Sequence, residues 1–490
     1  MKKRTFLWQL LTVVFALSVL LTSCAGKRNR PNDSTERDTT EHTEETTLRF
    51  DENGYLMDDL PEQVNLDREF TIYSWQDQKH WEWYDDEVFP TSLVDRVLYK
   101  RQSNVEERFG ITLKRIYQPG SWDFRNSFIT TLANSVKFHD GLYDLVSQYT
   151  PCAGIGATQN LYADLNGMDY LDLSKPWWPS KLLSSAAIGN RLYFVSGDIT
   201  PTMIRNVHCT YANINYYEQY QLADLVGGRT IYEVVRDYDW TLETFKLLAL
   251  DKVADDGGEM YGLSFTNNVQ ADAFFFGGGF KLLENNNGIL KVSSELSKQP
   301  ISDWFDQVQD LFSGGRYDVI IKSDAIFLNN QSIFHSGALS ASQNFAQQGV
   351  KFTVLPMPMR NSEQEQYYTC ASFWVGMYSI PVDAKNASES AMILEALASE
   401  GYRTITDEIY YTLFQIRYNS TDNRDSAEMF DIVSDSIVFD TARSFPDYLQ
   451  SMFAAFRSGV SDKTSSWGAV YGSDHRAWEA NATSLFAILG

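Results

Sequence analysis

Aromatic side chains with polar neighbours are the groups in this sequence that are best suited to bind a small molecule. The chain of 490 residues contains 12 tryptophans and 27 tyrosines. An aromatic ring can lie under the apolar C–H face of a sugar, while amides and carboxylates bind the hydroxyls at its rim. Candidates for such a site follow predicted strands, because ligands of open α/β sheets bind at the strand ends. They are Trp75, Gln76, Tyr149, Asp198, Asn267 and Trp374.

Trp177 and Trp178 form a further candidate pair. Pro176 and Pro179 flank this pair, so a rigid turn that only braces the fold is the alternative. The same alternative applies to every tryptophan, because a tryptophan is more often part of a core than of a binding surface. For Asp198, the alternative to accepting a ligand hydroxyl is to cap a loop.

Motifs for catalysis, metal binding and nucleotide binding are absent from the sequence. The six histidines show no HExxH spacing, and neither a GxSxG nor a CxxC motif occurs. The glycine-rich residues 274–280 lack the GxGxxG spacing and the Lys-Ser pair of a phosphate loop. We therefore expect no cofactor, no metal and no catalytic residue. A glycoside hydrolase is the enzymatic alternative, but no motif pairs the two carboxylates that it would need.

The N-terminal residues predict export and attachment to a membrane. A basic start at residues 2–4 precedes an apolar run over residues 6–21, which is short for the ~20 residues of a membrane-spanning helix. These features are typical of a signal peptide. The run ends in the motif LTSC at residues 21–24, which resembles the lipobox of bacterial lipoproteins. That resemblance implies a signal peptide over residues 1–24 and a lipid on Cys24.

Composition separates a tether from a large globular part. Residues 25–66 begin with a polar, charged stretch that buries too little apolar surface to fold, which predicts a disordered tether. The remaining residues are too many for one ordinary core and favour two lobes. A net charge of −23 argues against nucleic acid as a partner. Three further cysteines, Cys152, Cys209 and Cys370, allow at most one disulfide plus a free thiol.

Strands and helices alternate along the globular part. Apolar residues with helical spacing over residues 93–109 end at Gly110, and alternating segments flank this helix on both sides. A strand, a helix and a second strand predict a βαβ unit with a parallel sheet. Further helices are predicted over residues 128–136 and 241–250. The predicted strands are residues 70–73, 111–116, 143–146, 261–264 and 352–355.

The order of several short segments resembles extracellular solute-binding protein family 1, the sugar-binding lipoproteins of ABC importers. The resemblance covers about 320 residues and depends on the joint order of the segments, since each one alone is common. The segments are EFTIYSW (69–75), NVEERFGI (104–111), YDLV (143–146), YADLNGMDYLDLSKPWW (162–178), YANINYYEQYQL (211–222), YDWTLETF (238–245), GVKFTVLPMPMR (349–360) and WVGMYSIPVDAKN (374–386).

The resemblance implies a two-lobed α/β fold of the periplasmic-binding-protein type 2, with a ligand cleft between the lobes. Segments that cross between lobes are expected near residues 198–205, 327–334 and 370–376. The expected lobes are residues 67–200 with 330–372, and residues 201–329 with 373–490.

The same resemblance implies a function without chemistry. The protein would capture a monosaccharide or oligosaccharide outside the cell and deliver it to ABC permease subunits. A peptide or another small solute is the alternative ligand, because aromatic side chains also line peptide sites. A partner sensor kinase instead of a permease is an alternative that the sequence leaves open.

Overall fold

Within the residues that the structure describes, the strands form two main sheets and two small ones. The computed structural model describes residues 48–85, 89–250, 260–313, 320–321, 324–417 and 424–490. Cys24 and the signal peptide therefore lie outside the described residues. The strands are β1 (Arg68–Trp75), β2 (Ile111–Gln118), β3 (Leu145–Tyr149), β4 (His208–Asn213), β5 (Tyr261–Phe265), β6 (Leu283–Asn286), β7 (Ile289–Val292), β8 (Ile320–Ile321), β9 (Ser332–Ala338), β10 (Phe352–Leu355), β11 (Thr369–Cys370), β12 (Gly376–Ser379) and β13 (Ile437–Val438).

Helices connect these strands and cover the sheets. The chain order gives α1 (Lys79–Glu82), α2 (Leu93–Phe109), α3 (Arg125–Phe138), α4 (Thr150–Thr158), α5 (Ser180–Ala186), α6 (Thr202–Arg205), α7 (Ile214–Gln219), α8 (Ile231–Arg236), α9 (Leu242–Leu250), α10 (Gln270–Gly277), α11 (Gln299–Phe312), α12 (Ala325–Leu328), α13 (Ala341–Gln347), α14 (Ala387–Gly401), α15 (Arg424–Asp435), α16 (Pro446–Leu449), α17 (Ala455–Ser461) and α18 (Trp467–Leu489). A π-helical segment, Tyr402–Arg417, continues α14. Short 3₁₀ turns lie at Gln76–Gln78, Leu222–Val226, Ser294–Ser297, Thr441–Arg443 and Gln450–Ala454.

The first sheet has the strand order β12-β3-β1-β2 and contains the predicted βαβ unit. β1 pairs in parallel with β2 along its whole length, and α2 connects them. Ser92 and Asp95 form a capping box at the start of α2. Gly110 ends the helix in the left-handed region with a φ of 60°, which glycine adopts without a steric cost. The strand and helix bounds in this unit confirm the prediction to within a few residues.

The second sheet has the strand order β10-β4-β9-β5-β8. β4 runs antiparallel to both β9 and β10, whereas β5 is parallel to β9. These pairings place β9 and β10 with β4, and β12 pairs instead with β3 of the first sheet. The observed placement of the three strands is therefore the reverse of the predicted one, which assigned residues 330–372 to the first lobe and residues 373–490 to the second.

Two adjacent segments cross between the sheets. Val195 bridges to Tyr378 of the first sheet, and β4 of the second sheet begins at His208, so the chain crosses over residues 198–207. A return crossing over residues 371–375 lies beside it, because Val207 bridges to Ala371. Both crossings agree with the predicted positions.

A third crossing lies elsewhere than predicted. β8 and β9 belong to the same sheet, so residues 327–334 do not cross. Instead, Phe445 packs on Phe194, with ring centroids 6.1 Å apart, on the side of the first sheet. A few residues later, Phe456 packs on Phe305 at 5.5 Å on the side of the second sheet. Residues 445–456 therefore carry the chain from one lobe to the other.

The buried carboxylate of Glu82 attaches the first crossing and β12 to α1. The hydroxyls of Thr200 and Thr202 donate to Oε1 at 2.8 and 3.0 Å, and the Tyr378 hydroxyl donates to Oε2. The Arg101 guanidinium donates to the backbone oxygen of Glu82 and to that of Ile199. Burial raises the pKa of Glu82, while the hydroxyl donors and Arg101 oppose this shift. We call these side chains the Glu82 network.

Besides the crossings, the hairpin of β6 and β7 also connects the lobes. We call it the β6–β7 strap. Asn285 donates through Nδ2 to the backbone oxygens of Ser185 and Ala187, at 3.2 and 2.6 Å. The Gly189 N–H donates to the oxygen of Gly288 at 2.9 Å. Residues 185–189 precede the first crossing and belong to the first lobe. The hairpin follows α10 and belongs to the second lobe. Residues Arg49–Gly490 consequently form one compact unit.

Candidate functional site

Three predicted site residues meet at the carboxyl edge of the first sheet. β1 ends at Trp75 and β3 ends at Tyr149, while the antiparallel β12 begins opposite Tyr149, two residues after Trp374. The ring centroids of Trp75 and Trp374 are 6.0 Å apart, and Tyr149 lies 5.6 and 5.5 Å from them. We call these three side chains the aromatic trio. Strand order therefore brings together residues that are 300 positions apart in sequence.

Only one member of the aromatic trio is open to solvent. The relative exposure is 0% for Trp75, 3% for Tyr149 and 37% for Trp374. The Asn206 side chain donates to the Trp374 backbone oxygen at 2.6 Å, and the Ser372 hydroxyl accepts from the Trp374 N–H at 3.2 Å. The two adjacent crossings thus position the exposed ring, and the buried rings support it from below.

The facing edge of the second sheet carries a neutral polar group. His208 begins β4, and the Gln270 amide donates to its Nδ1 at 3.2 Å. Ser336 donates to the other end of that amide at 3.0 Å, which fixes its orientation. Burial lowers the pKa of His208 to about 3, so the imidazole is neutral near pH 7. Its proton then lies on Nε2.

Arg443 lies between the two sheet edges. Its positive charge opposes the rise in the pKa of Tyr149 and adds to the fall in the pKa of His208. Its guanidinium carbon lies 3.8 Å from the ring centre of Phe373. Asp272 accepts from Arg443 at 3.2 Å and from Arg457 at 2.7 Å. Arg443 and Arg457, which flank the third crossing, are thereby joined to α10, and Arg443 also contacts the second crossing.

Several buried donors in this region have no acceptor among the described residues. They are Nε1 of Trp75, Nε2 of His208 and Nη2 of Arg443. A buried donor without an acceptor destabilises a protein by ~1–3 kcal/mol. A cavity of about 30 Å³ lies between Thr150, Ser372 and Arg443, which is enough for a water molecule but not for a sugar. The region between the sheet edges therefore contains buried donors that a polar ligand could satisfy.

A second aromatic group beside the trio was not predicted. Trp122, Phe373 and Phe453 have ring centroids 5.7–6.4 Å apart. The Arg125 guanidinium covers Trp122 at 4.1 Å and binds Asp447 through two hydrogen bonds of 2.9 and 2.7 Å. Trp122 follows the end of β2, so the rule that selected Trp75 also applies to it. Phe453 lies in a C-terminal segment that no sequence pattern singled out.

Gln76 directly follows Trp75, and the other predicted residues occupy different parts of the fold. Gln76 and Asn267 are exposed at the ends of β1 and β5, and Asn267 caps a turn by accepting from the Val269 N–H. Asp198 accepts from the Thr406 hydroxyl at 2.7 Å, and burial raises its pKa to about 7. Asp198 therefore attaches the first crossing to the π-helical segment, which is close to the capping role that was its alternative.

Trp177 and Trp178 pack the first lobe. Both are buried, and their indole N–H groups donate to the two carboxylate oxygens of Glu395 at 3.1 and 2.9 Å. Neither ring has a face available to a ligand, so the predicted binding role is corrected to the bracing alternative. Burial raises the pKa of Glu395 to about 8.

We predict that this carboxyl makes the stability of the protein depend on pH. The ordinary pKa of a glutamate is ~4.3, so between about pH 5 and pH 8 the folded state binds more protons than the unfolded state. The free energy of unfolding therefore falls as the pH rises through this range. Glu395→Gln should reduce the fall by up to about 1.4 kcal/mol per pH unit.

Urea denaturation at several pH values measures this effect. Because Asp198 titrates in a similar range, the difference between wild type and the Glu395→Gln variant is the relevant quantity. Equal pH dependence of the two proteins would contradict the prediction.

A Ser-His-Asp arrangement in the second lobe is structural. The Ser264 hydroxyl lies 2.8 Å from Nδ1 of His335, and Nε2 of His335 lies 3.2 Å from Asp324. Ser264 and His335 are 0% exposed, so no substrate can reach the hydroxyl. Among the described residues, no group of three or more His, Cys, Asp and Glu side chains is placed to hold a metal ion. Cys152, Cys209 and Cys370 are buried free thiols, so the permitted disulfide does not form among them.

Comparison with known proteins identifies the fold. No protein-family model matches the chain, and no curated protein matches its sequence. The sugar-binding protein MalE of Xanthomonas citri has a TM-score of 0.57 at 11% identity, over 86% of this chain and 98% of that one. The GacH receptor of Streptomyces glaucescens has a TM-score of 0.55 at 12% identity, over 85% of this chain and 99% of that one. An extracellular solute-binding protein of Staphylococcus aureus has a TM-score of 0.55 at 13% identity, over 88% of this chain and 99% of that one.

These similarities confirm the predicted architecture. The chain has the two-lobed α/β fold of periplasmic-binding-protein-like proteins. In the part of the chain that the structure describes, no helix has both the length and the apolar character to cross a membrane. Because a fold is compatible with many activities, function has to be inferred from the site.

Proposed function

We propose that this chain is the extracellular ligand-binding component of an ABC importer and that it captures a carbohydrate without altering it. The observation that carries this proposal is the aromatic trio beside the two adjacent crossings. Trp374 presents a ring at the junction of the lobes, and the buried donors of Trp75, His208 and Arg443 lie in the same region. A polyhydroxylated ligand matches both features, because its C–H faces pack on rings and its hydroxyls accept hydrogen bonds.

The ligands of proteins with this fold agree with the proposal. The Staphylococcus aureus protein was solved with maltose, and the GacH receptor with acarbose. A cyclo/maltodextrin-binding protein with a TM-score of 0.54 at 15% identity was solved with maltotetraose. Identities this low do not transfer a ligand, so the aromatic and polar side chains of this chain have to support the assignment.

Capture would proceed by closure of the lobes. In the open form the edges of the two sheets separate and the ligand packs on Trp374. Contacts that the ligand makes to both lobes are present only in the closed form, and they shift the population toward it. The first lobe would contain β1–β3 and β12, and the second β4, β5 and β8–β10. The third crossing, residues 445–456, connects them on the side of Arg443.

Attachment and delivery complete the proposal. A lipid on Cys24 and a flexible tether would hold the protein at the outer face of the cell membrane, within reach of permease subunits. Asp58 and Leu60 are buried and Asp58 binds Arg108, so the tether is shorter than the predicted residues 25–66. A coil over residues 25–47, ~23 residues, has a mean reach of roughly 26 Å. Metabolic labelling with a radioactive fatty acid tests the anchor, since Cys24→Ala should abolish incorporation of the label.

Binding of glycans tests the proposed function. The full-length protein in mild detergent is mixed with linear oligosaccharides from α-glucans, β-glucans and xylans. We expect one class to raise the melting temperature, since a ligand at 100 times its Kd stabilises by ~2.7 kcal/mol. Chromatography should recover the glycan unchanged. Stabilisation by a peptide mixture with no response to any glycan would contradict a carbohydrate ligand, and release of shorter sugars would indicate a hydrolase.

A further inference from the structure

A polar cavity is lined by residues that accompany both lobes. Its volume is about 610 Å³, within the range of 300–1,000 Å³ that is usual for small-molecule sites. His80 and Trp81 of α1 and the first turn of α2 form one wall, and these elements accompany the first sheet. Gln343 and Gln347 of α13, which follows β9 of the second sheet, form the other. The cavity is thus bounded by both lobes.

Trp81 and Trp374 are attached to consecutive residues of the first crossing. The Arg205 guanidinium lies 4.1 Å from the centre of the Trp81 ring. Arg205 also donates to the side chain of Asn206 at 3.2 Å, and Asn206 holds the Trp374 backbone. Arg205 and Asn206 are neighbours in the chain, so both tryptophans contact the C-terminal end of the first crossing.

The polar groups of the cavity are better suited to bind the hydroxyls of an uncharged ligand than to bind a charged ligand. The amides of Gln343 and Gln347 each supply donors and an acceptor, and the exposed imidazole of His80 does the same when neutral. The charges of Asp95 and Arg96 are opposite, and the Asp95 carboxylate already accepts the Ser92 N–H. An aromatic ring with uncharged donors and acceptors is the combination that a sugar ring requires.

We infer that this cavity, which we call the Trp81 subsite, binds a further sugar unit of the ligand. The inference rests on the proposed function and makes it more specific. The ligand is an oligosaccharide that contacts Trp374 with one unit and Trp81 with another. A monosaccharide or a disaccharide on Trp374 leaves the Trp81 subsite empty.

Titration calorimetry with sugars of different length tests the inference. The probes are the disaccharide and the pentasaccharide of the glycan class that stabilises the full-length protein. Wild type should bind the pentasaccharide about tenfold more tightly than the disaccharide, the gain from one further aromatic contact. Trp81→Ala should abolish this difference and leave the affinity for the disaccharide unchanged. Gln343→Ala, which is on the other lobe, should reduce the difference.

Phe138→Ala is the matched control. Phe138 is an exposed aromatic residue at the end of α3 that does not line the cavity, so its removal should leave both affinities unchanged. Equal affinities of wild type for the two sugars, or a length preference that survives both Trp81→Ala and Gln343→Ala, would overturn the Trp81 subsite while the proposed function stands. If neither sugar binds, both the Trp81 subsite and the proposed function are contradicted. Should Trp81→Ala fail to fold, Gln343→Ala alone decides.

Discussion

Glu82→Ala is expected to lower the free energy of unfolding by about 3–5 kcal/mol, the cost of removing one partner from a buried charged group. Glu82 is 0% exposed. The substitution leaves the hydroxyls of Thr200, Thr202 and Tyr378 without their acceptor. It also removes the carboxylate that balances the charge of the buried Arg101. Urea denaturation of wild type and variant measures the effect.

Two conservative substitutions separate the charge from the hydrogen bonds. Glu82→Gln keeps an acceptor oxygen but removes the charge, so its loss should be smaller than that of Glu82→Ala. Tyr378→Phe removes one donor and should cost about 1 kcal/mol. A Glu82→Ala protein within about 1 kcal/mol of wild type would show that the Glu82 network does not stabilise the crossings.

Trp374→Ala is expected to weaken binding of the glycan by about 1–3 kcal/mol, or roughly 5- to 150-fold in Kd. Trp374 is the member of the aromatic trio with a face open to solvent, so truncation removes a ligand contact and little of the core. Titration calorimetry measures the affinity. The free energy of unfolding without ligand should change much less than for a core residue.

Trp75→Ala provides the contrast for that experiment. Trp75 is 0% exposed beneath Trp374, so its truncation should destabilise the fold by about 3–5 kcal/mol. Truncation of Trp75 therefore tests packing, whereas truncation of Trp374 tests binding. If Trp374→Ala binds the glycan as tightly as wild type does, the trio is not part of the binding site.

Local signals in the sequence were sufficient to predict much of the first sheet. The capping residues Ser92 and Gly110 define the ends of α2, and the flanking strands alternate clearly. Because parallel strands place their carboxyl ends at one edge, the same reasoning placed Trp75 and Tyr149 together. Trp374 joined them through its position just before the return strand.

Long-range pairing is the part that the sequence could not supply. β9 and β10 carry apolar residues that suit either sheet, so their pairing with β4 depends on contacts distant in sequence. Trp177 and Trp178 were ambiguous because Glu395, which accepts both indole N–H groups, is more than 200 residues away. Phe453 belongs to the third crossing and Arg443 precedes it, in a segment with no local signature.

The β6–β7 strap restricts how the lobes can rotate. In a rigid rotation each atom moves in proportion to its distance from the axis, and an axis that preserves the hydrogen bonds of Asn285 and Gly189 must pass close to them and to the crossings. Groups beside the crossings, such as Trp374, are then displaced little, whereas groups far from the crossings move by larger distances. The aromatic trio would keep one geometry throughout the cycle. A sugar would therefore meet a preformed surface first, and the outer residues would select among sugars afterwards.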